Sequence, residues 1–154
     1  TVGPRYEHWC QRNVATCDDP KRYAEWQLAE LNEGYVWLEE ATSEALIPQM
    51  LNLQRFGGIS FTKGCYLGQE IVARMQYRGV LKRRLYRGQS DTPVVPGTPI
   101  LSATGGQLGQ VVAVAGQQFL AVVQISADQG DNEPHDSITG QLETGAKLAL
   151  SEVL

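Results

Sequence analysis

A short segment of the chain combines a cysteine, a lysine and two glycines directly before a predicted helix. It runs from Lys63 to Glu70 and reads Lys-Gly-Cys-Tyr-Leu-Gly-Gln-Glu. Cys65 lies close to the first backbone N–H groups of a helix that we predict from Gln69 to Arg78, and Lys63 is two residues away. Both effects lower the pKa of a thiol, and the thiolate is the nucleophilic form of cysteine. The segment therefore predicts a reactive Cys65, and the alternative is a buried, unreactive cysteine in a glycine-rich turn.

The cysteines and histidines predict neither a disulfide framework nor a metal site. Cys10, Cys17 and Cys65 are an odd number at wide spacing, which favours reduced thiols and a cytoplasmic location. His8 and His135 complete no metal-ligand spacing with them, so no metal is predicted. No apolar run is long enough to span a bilayer and no signal peptide stands at the start, so no membrane association is predicted. Because the chain does not begin with Met, we expect it to be part of a longer protein.

Positive charge is concentrated around the same segment. The chain carries a net charge of −4. Between positions 63 and 87, however, only one acid, Glu70, accompanies the bases. These bases are Lys63, Arg74, Arg78, Lys82, Arg83, Arg84 and Arg87. A cationic segment in an acidic protein indicates an anionic partner, and the alternative is a solvated face that pairs with acids elsewhere in the fold. On the predicted helix, Arg74 and Arg78 project from one face because they are four residues apart.

Helical signals occupy the first half of the chain. Asp19 and Pro20 are typical of a helix start, and Gly34 is typical of a helix end. Within this helix, Tyr23, Trp26 and Leu31 recur at roughly helical spacing. A short strand is predicted over 35–38. In the helix after the cysteine, the predicted buried side chains are Ile71, Val72 and Met75.

Strand signals dominate after Gly79. The apolar, β-branched runs 111–114 and 119–125 predict a hairpin, and further strands are expected over 80–86 and 147–150. The prolines at 93, 96 and 99 indicate a loop. We therefore predict an α+β protein in which residues 1–78 form a helical part and residues 79–154 form a small antiparallel β-barrel domain.

The segment from Gly57 to Glu70 closely resembles the signature of the YgfZ family. The core of that signature is K-G-C-[FY]-x-G-Q-E, and every defined position is matched here. The flanking residues agree as well. They are Ile47-Pro48-Gln49 and Asn52-Leu53-Gln54 before the signature, and Ala73-Arg74, Tyr77-Arg78-Gly79 and Lys82-Arg83 after it. An eight-position signature centred on a cysteine, with matching flanks, is a specific signal.

This resemblance implies a fold, a cofactor and site residues. The YgfZ family is similar to the T-protein of the glycine cleavage system, an aminomethyltransferase that uses tetrahydrofolate. Residues 1–78 would be the C-terminal part of such a folate-binding core, and the cofactor would be tetrahydrofolate or a derivative. Cys65 and Lys63 would be catalytic. The folate-binding residues would be Trp26, Lys63, Tyr66, Gln69, Glu70, Arg74 and Arg78.

Two positions on the predicted first helix, Trp26 and Asn32, bear on pterin binding within this resemblance. Trp26 matches a position tied to folate binding in the family, and an indole is a suitable platform for a flat pterin. The alternative is that Trp26 belongs to the core of the helix face. Asn32 stands where relatives often have a glutamate that helps to hold the pterin. The pterin is therefore either held by a different contact or bound more weakly.

The function implied by the resemblance is that of a folate-dependent accessory protein. It would act through Cys65 in the assembly or repair of iron–sulfur clusters in client enzymes, including enzymes that modify tRNA. Its partners would be folate, the client enzymes or assembly proteins and, indirectly, tRNA. The step at Cys65 stays open between attack on a one-carbon adduct, transient binding of iron or sulfur, and a mixed disulfide. Two other functions stay open: a true aminomethyltransferase, and a tRNA-binding module that uses the basic segment.

Overall fold

The computed structural model describes residues 19–79, 81–125 and 138–153. The predictions about Cys10, Cys17, His8 and His135 lie outside the described residues. None of the helices within these three ranges is long and apolar enough to cross a lipid bilayer.

The first helix, α1, spans Pro20–Glu33 and begins and ends as predicted. The carboxylate of Asp19 accepts hydrogen bonds from the backbone N–H groups of Lys21 and Arg22, at 3.1 and 3.3 Å. Gly34 ends the helix in the left-handed region with a φ of 78°, where glycine has no steric penalty. Of the three residues at helical spacing, Leu31 is buried, whereas the Tyr23 side chain is 64% exposed. The physical reason is that α1 buries only residues near its C-terminal end, Ala29 to Leu31.

The segment after α1 contains three short 3-10 helices rather than a strand. They span Glu40–Thr42, Pro48–Leu51 and Leu53–Phe56. Residues 35–38 are not part of a strand, so the strand prediction there is wrong. The barrel strands pair with one another in a closed ring, which leaves no strand edge for this segment to join. Trp37 and Leu38 are instead each 58% exposed.

The second helix, α2, spans Gln69–Tyr77 and follows the cysteine as predicted. Arg78 lies outside the helix at its C-terminal end, so Arg74 and Arg78 do not share a helix face. Only Val72 is buried, whereas Ile71 is 57% exposed and Met75 is half-buried. The prediction of a three-residue buried stripe is therefore wrong. The cause is a narrow contact, in which α2 packs on the 3-10 helix Pro48–Leu51.

Six antiparallel strands form a closed barrel after α2. The strands are β1 Arg83–Gln89, β2 Pro99–Leu101, β3 Gln107–Ala115, β4 Gln118–Gln124, β5 Ile138–Gln141 and β6 Lys147–Glu152. Their order around the barrel is β1-β4-β3-β2-β5-β6, and β6 pairs with β1 to close it. The predicted α+β class, the antiparallel barrel and the β3–β4 hairpin are confirmed. Sequence analysis did not predict β5, and it placed β2 in a loop.

Alternating positions on the strands supply two separate apolar clusters. The inner faces of the strands fill the barrel with large side chains such as Tyr86, Phe119 and Leu150. The outer faces of β1 and β4 contribute Leu85, Leu120 and Val122, which pack with Leu31 and Leu51 of the helical segment. The helical segment is thereby fixed to the outside of the barrel.

Candidate functional site

The cysteine of the signature lies on an exposed loop directly before α2. Cys65 is a free, exposed thiol, which excludes the alternative of a buried cysteine. Two hydrogen bonds shape the loop. The backbone N–H of Lys63 donates to the Ser60 hydroxyl at 3.2 Å, and that of Tyr66 donates to the Gln69 side-chain oxygen at 3.3 Å. The loop thus presents the thiol to solvent while its own backbone is held in place.

The turn that carries Cys65 also carries a cation in contact with an aromatic ring. The Lys63 ammonium lies 4.4 Å from the centroid of the Tyr66 ring, a cation–π contact. Gly68, with a φ of 81°, precedes the first residue of α2 and supplies no side chain to cap it. The first backbone N–H groups of α2 therefore lack a capping side chain, and they carry partial positive charge. Of the predicted site residues, Lys63, Cys65, Tyr66 and Gln69 are brought together on this one turn.

The basic segment divides into exposed bases and bases that hold the fold together. Arg84 forms an ion pair with Glu152 at 2.9 Å. Arg87 donates from Nη2 to the backbone carbonyls of Leu31 and Asn32 at the end of α1. Five bases remain exposed, and these are Lys63, Arg74, Arg78, Lys82 and Arg83. The exposed bases therefore fit the prediction of an anionic partner, whereas Arg84 and Arg87 fit the alternative in which the bases pair with groups elsewhere in the fold.

A groove lies between α1 and the barrel, and the predicted folate-binding residue Trp26 is not among the residues that line it. Trp26 is half-buried, and Glu30, one turn later on the same helix face, is only 8% exposed. The Glu30 carboxylate accepts a hydrogen bond of 2.8 Å from the indole N–H of Trp37. The groove is lined by Gln27, Glu30, Leu31, Tyr35, Trp37, Glu39, Ala113 and Val114. It offers aromatic surface together with carboxylates.

Sequence analysis did not single out Glu30 and Trp37 as part of this groove. The spacing of Trp26 and Glu30 at i and i+4 was a usable signal for a shared helix face. No short-range pattern indicates that Trp37 turns back onto Glu30. The edge-to-face contacts of Tyr35 with Trp37 and with Phe56, each with 5.3 Å between ring centroids, depend on how the chain folds after α1.

The barrel interior holds one ionisable group with a strongly perturbed pKa. Burial raises the pKa of Tyr86 to about 12, and the carboxylate of Glu152 adds to the rise while Arg84 opposes it. The Tyr86 hydroxyl has no hydrogen-bond partner among the described residues. Within the same residues, no group of three or more histidine, cysteine, aspartate and glutamate side chains is placed to hold a metal ion.

Comparison with known proteins points to one group of relatives, although no family model matches the chain. A stretch of 61 residues, 40% of this chain, is 61% identical to the tRNA-modifying protein YgfZ of Colwellia psychrerythraea. The chain is similar to YgfZ proteins. The YgfZ proteins of Edwardsiella ictaluri and Yersinia pestis are 46% and 50% identical over 70 and 72 residues, which are 44% and 47% of this chain. These findings confirm the resemblance expected from the signature.

The matched stretches are short relative to these YgfZ proteins. They cover 19%, 21% and 22% of the three relatives, so the chain matches about a fifth of their length. Among solved structures, the glycine cleavage system aminomethyltransferase T from Bartonella henselae aligns with a TM-score of 0.37 and 16% identity. That alignment covers 66% of this chain and 27% of the transferase, and its score is too low to support an argument about shared function.

Proposed function

We propose that this chain is part of a YgfZ-type, folate-dependent accessory protein that supports iron–sulfur enzymes and acts through Cys65. Client enzymes would include those that modify tRNA. The observation that carries the proposal is the exposed Cys65 thiol in the full eight-residue signature, on the same turn as the contact between Lys63 and Tyr66. The names of the YgfZ relatives, tRNA-modifying protein, support the link to tRNA.

The chain carries side chains of the chemical types that would bind the two ends of a folate. A half-buried indole, Trp26, can stack on a flat heterocycle, and the neighbouring Glu30 carboxylate can accept hydrogen bonds from ring N–H groups. Exposed bases such as Lys63, Arg74 and Arg78 can attract the carboxylates of a folate tail. A bound reduced folate would supply one-carbon chemistry. This chain's own part would be to bind and orient that cofactor and to present the Cys65 thiol.

The test is genetic and uses the protein in its natural length. Cys65→Ala should lower the activity of a client iron–sulfur enzyme and the level of the tRNA modification that it makes. Leu67→Ala is the matched control, because Leu67 lies on the same loop and is fully exposed. Full client activity with Cys65→Ala would overturn the proposal. Transfer of an aminomethyl group from a lipoylated carrier protein by the purified protein would instead indicate the transferase function.

A tRNA-binding function is a second candidate, favoured by the five exposed bases. Because Arg84 and Arg87 are engaged within the fold, direct tRNA contact would come from Arg74, Arg78, Lys82 and the other exposed bases. Such contacts are electrostatic. Binding releases counterions from the tRNA, and this release contributes less free energy as the salt concentration rises, so the affinity falls. A mobility-shift assay should show salt-dependent tRNA binding that the double substitution Arg74→Gln, Arg78→Gln reduces. Unchanged binding by that variant would remove this candidate.

A further inference from the structure

A polar cleft lies where the end of α1 meets the 3-10 helix Leu53–Phe56 and the paired strands β1 and β6. Its volume is about 190 Å3. Its polar lining residues are Asn32, Glu33, Arg55, Arg87, Ser151 and Glu152. None of them belongs to the signature, although Asn32 is the position at which the resemblance places a pterin-holding glutamate in relatives.

One wall of the cleft is a guanidinium with spare donors. Arg87 and Ser151 are direct cross-strand partners on β1 and β6, so their side chains lie on the same face of the sheet. Nη2 of Arg87 donates to the carbonyls of Leu31 and Asn32, which fixes the guanidinium against the end of α1. Its Nε is buried and has no hydrogen-bond partner among the described residues. A buried donor without a partner is costly, so the donors that a ligand in the cleft could reach are those of the terminal guanidinium nitrogens.

The charge balance in the cleft favours one negative charge on the ligand. The carboxylate of Glu152 is already neutralised by Arg84 at 2.9 Å. Among the described residues that line the cleft, Glu33 is the other acid beside the two bases Arg55 and Arg87. A monoanion therefore balances the site, whereas a dianion is disfavoured by Glu33. The planar fork of a guanidinium matches the geometry of a carboxylate group.

We propose that this cleft binds the carboxylate of a small molecule or of a chain end. Arg87 and Arg55 supply the charged donors, and the Ser151 hydroxyl and the Asn32 side-chain amide supply neutral ones. The site is separate in its residues from the signature turn around Cys65, so it can be tested without reference to the cysteine.

The test is a titration of the 15N-labelled 154-residue chain with acetate, chloride and inorganic phosphate at constant ionic strength, followed by NMR. Acetate should shift the Arg87 Nε–H and the Ser151 amide signals saturably, and more tightly than phosphate. Arg55→Gln should weaken acetate binding about tenfold, the loss expected for one charged hydrogen bond. Ser151→Ala should weaken it less. Lys147→Gln is the charge-matched control, since Lys147 is an exposed base outside the cleft, and it should bind as the parent does.

Three outcomes would overturn the proposal. They are equal shifts with chloride, tighter binding of phosphate, or unchanged acetate binding by Arg55→Gln. The test avoids substitutions of Arg87 because that side chain also holds α1 against the barrel. Melting temperatures of the variants confirm that any loss of binding is not a loss of folding.

Discussion

Replacing Gly109 by alanine tests the closest approach between two barrel strands. Gly109 lies in β3 directly opposite Val123 of β4. A β-carbon at this position would lie 2.8 Å from the α-carbon of Val123 and 3.0 Å from the carbonyl carbon of Val122, and still closer to the Val122 oxygen. Carbon atoms in contact normally stay about 3.5–4.0 Å apart. Because the obstructing atoms belong to the backbone, a rotamer change cannot relieve the overlap.

The expected effect is a clear loss of stability. Forcing an added carbon into packed structure costs about 1–3 kcal/mol or more. For a chain of this length, each kcal/mol lowers the melting temperature by about 2–4 °C. Gly109→Ala should therefore melt roughly 2–12 °C below the parent chain in a thermal scan followed by circular dichroism.

Gly106→Ala provides the matched control in the turn before β3. A β-carbon there meets only the Ser102 hydroxyl, at an ordinary contact distance of 3.5 Å. Gly106 also lacks the positive φ that disfavours alanine. This variant should change the free energy of unfolding by about 0.5 kcal/mol at most. Equal melting temperatures for the two variants would refute the strand register described for β3 and β4.

Three further predictions concern the thiol, the folate platform and the buried tyrosine. Cys65 should alkylate with iodoacetamide faster than Cys10 or Cys17 near neutral pH, as peptide mass mapping would reveal; preferential labelling of either other cysteine contradicts this. In titration calorimetry on the full-length protein, Trp26→Ala should weaken folate binding at every salt concentration. Loss of an exposed ion pair, by contrast, should cost only about 0.2–1 kcal/mol, and this cost should fade as salt is added. If Trp26→Ala leaves the affinity for folate unchanged, Trp26 belongs to the core. Because the pKa of Tyr86 is raised from 10.0 to about 12 in the folded state, its contribution to stability is present below pH 10 and is lost as the pH rises towards 12. Tyr86→Phe should therefore lose less stability over that range than the parent. Plots of melting temperature against pH that run parallel for the two proteins would contradict this prediction.

The features that sequence analysis predicted correctly are those whose partners are close in the chain. Asp19 and Gly34 mark the two ends of α1 because the hydrogen bonds that cap a helix reach only a few residues. The β3–β4 hairpin was predictable because its turn, at Gly116, separates two adjacent apolar runs. The signature around Cys65 is likewise a continuous segment.

Burial and pairing were decided by tertiary structure. Sequence periodicity predicted that Ile71 is buried, but its side chain is exposed because α2 contacts the rest of the fold over a short length. The pattern of a helix says which residues share a face, but not how much of that face meets another element.

The amino-acid sequence by itself determined the helix ends, the hairpin, the antiparallel β part and the segment that presents Cys65. Tertiary structure decided the roles of Arg84 and Arg87, which look equivalent to the other bases in the sequence. Arg84 meets Glu152, 68 residues later, and Arg87 meets the end of α1, 55 residues earlier. Such contacts exist only once β6 closes the barrel against β1 and the helical segment packs on its outer face. Local sequence patterns carry no information about which distant residue will contact a given side chain, because that contact depends on the packing of the whole chain.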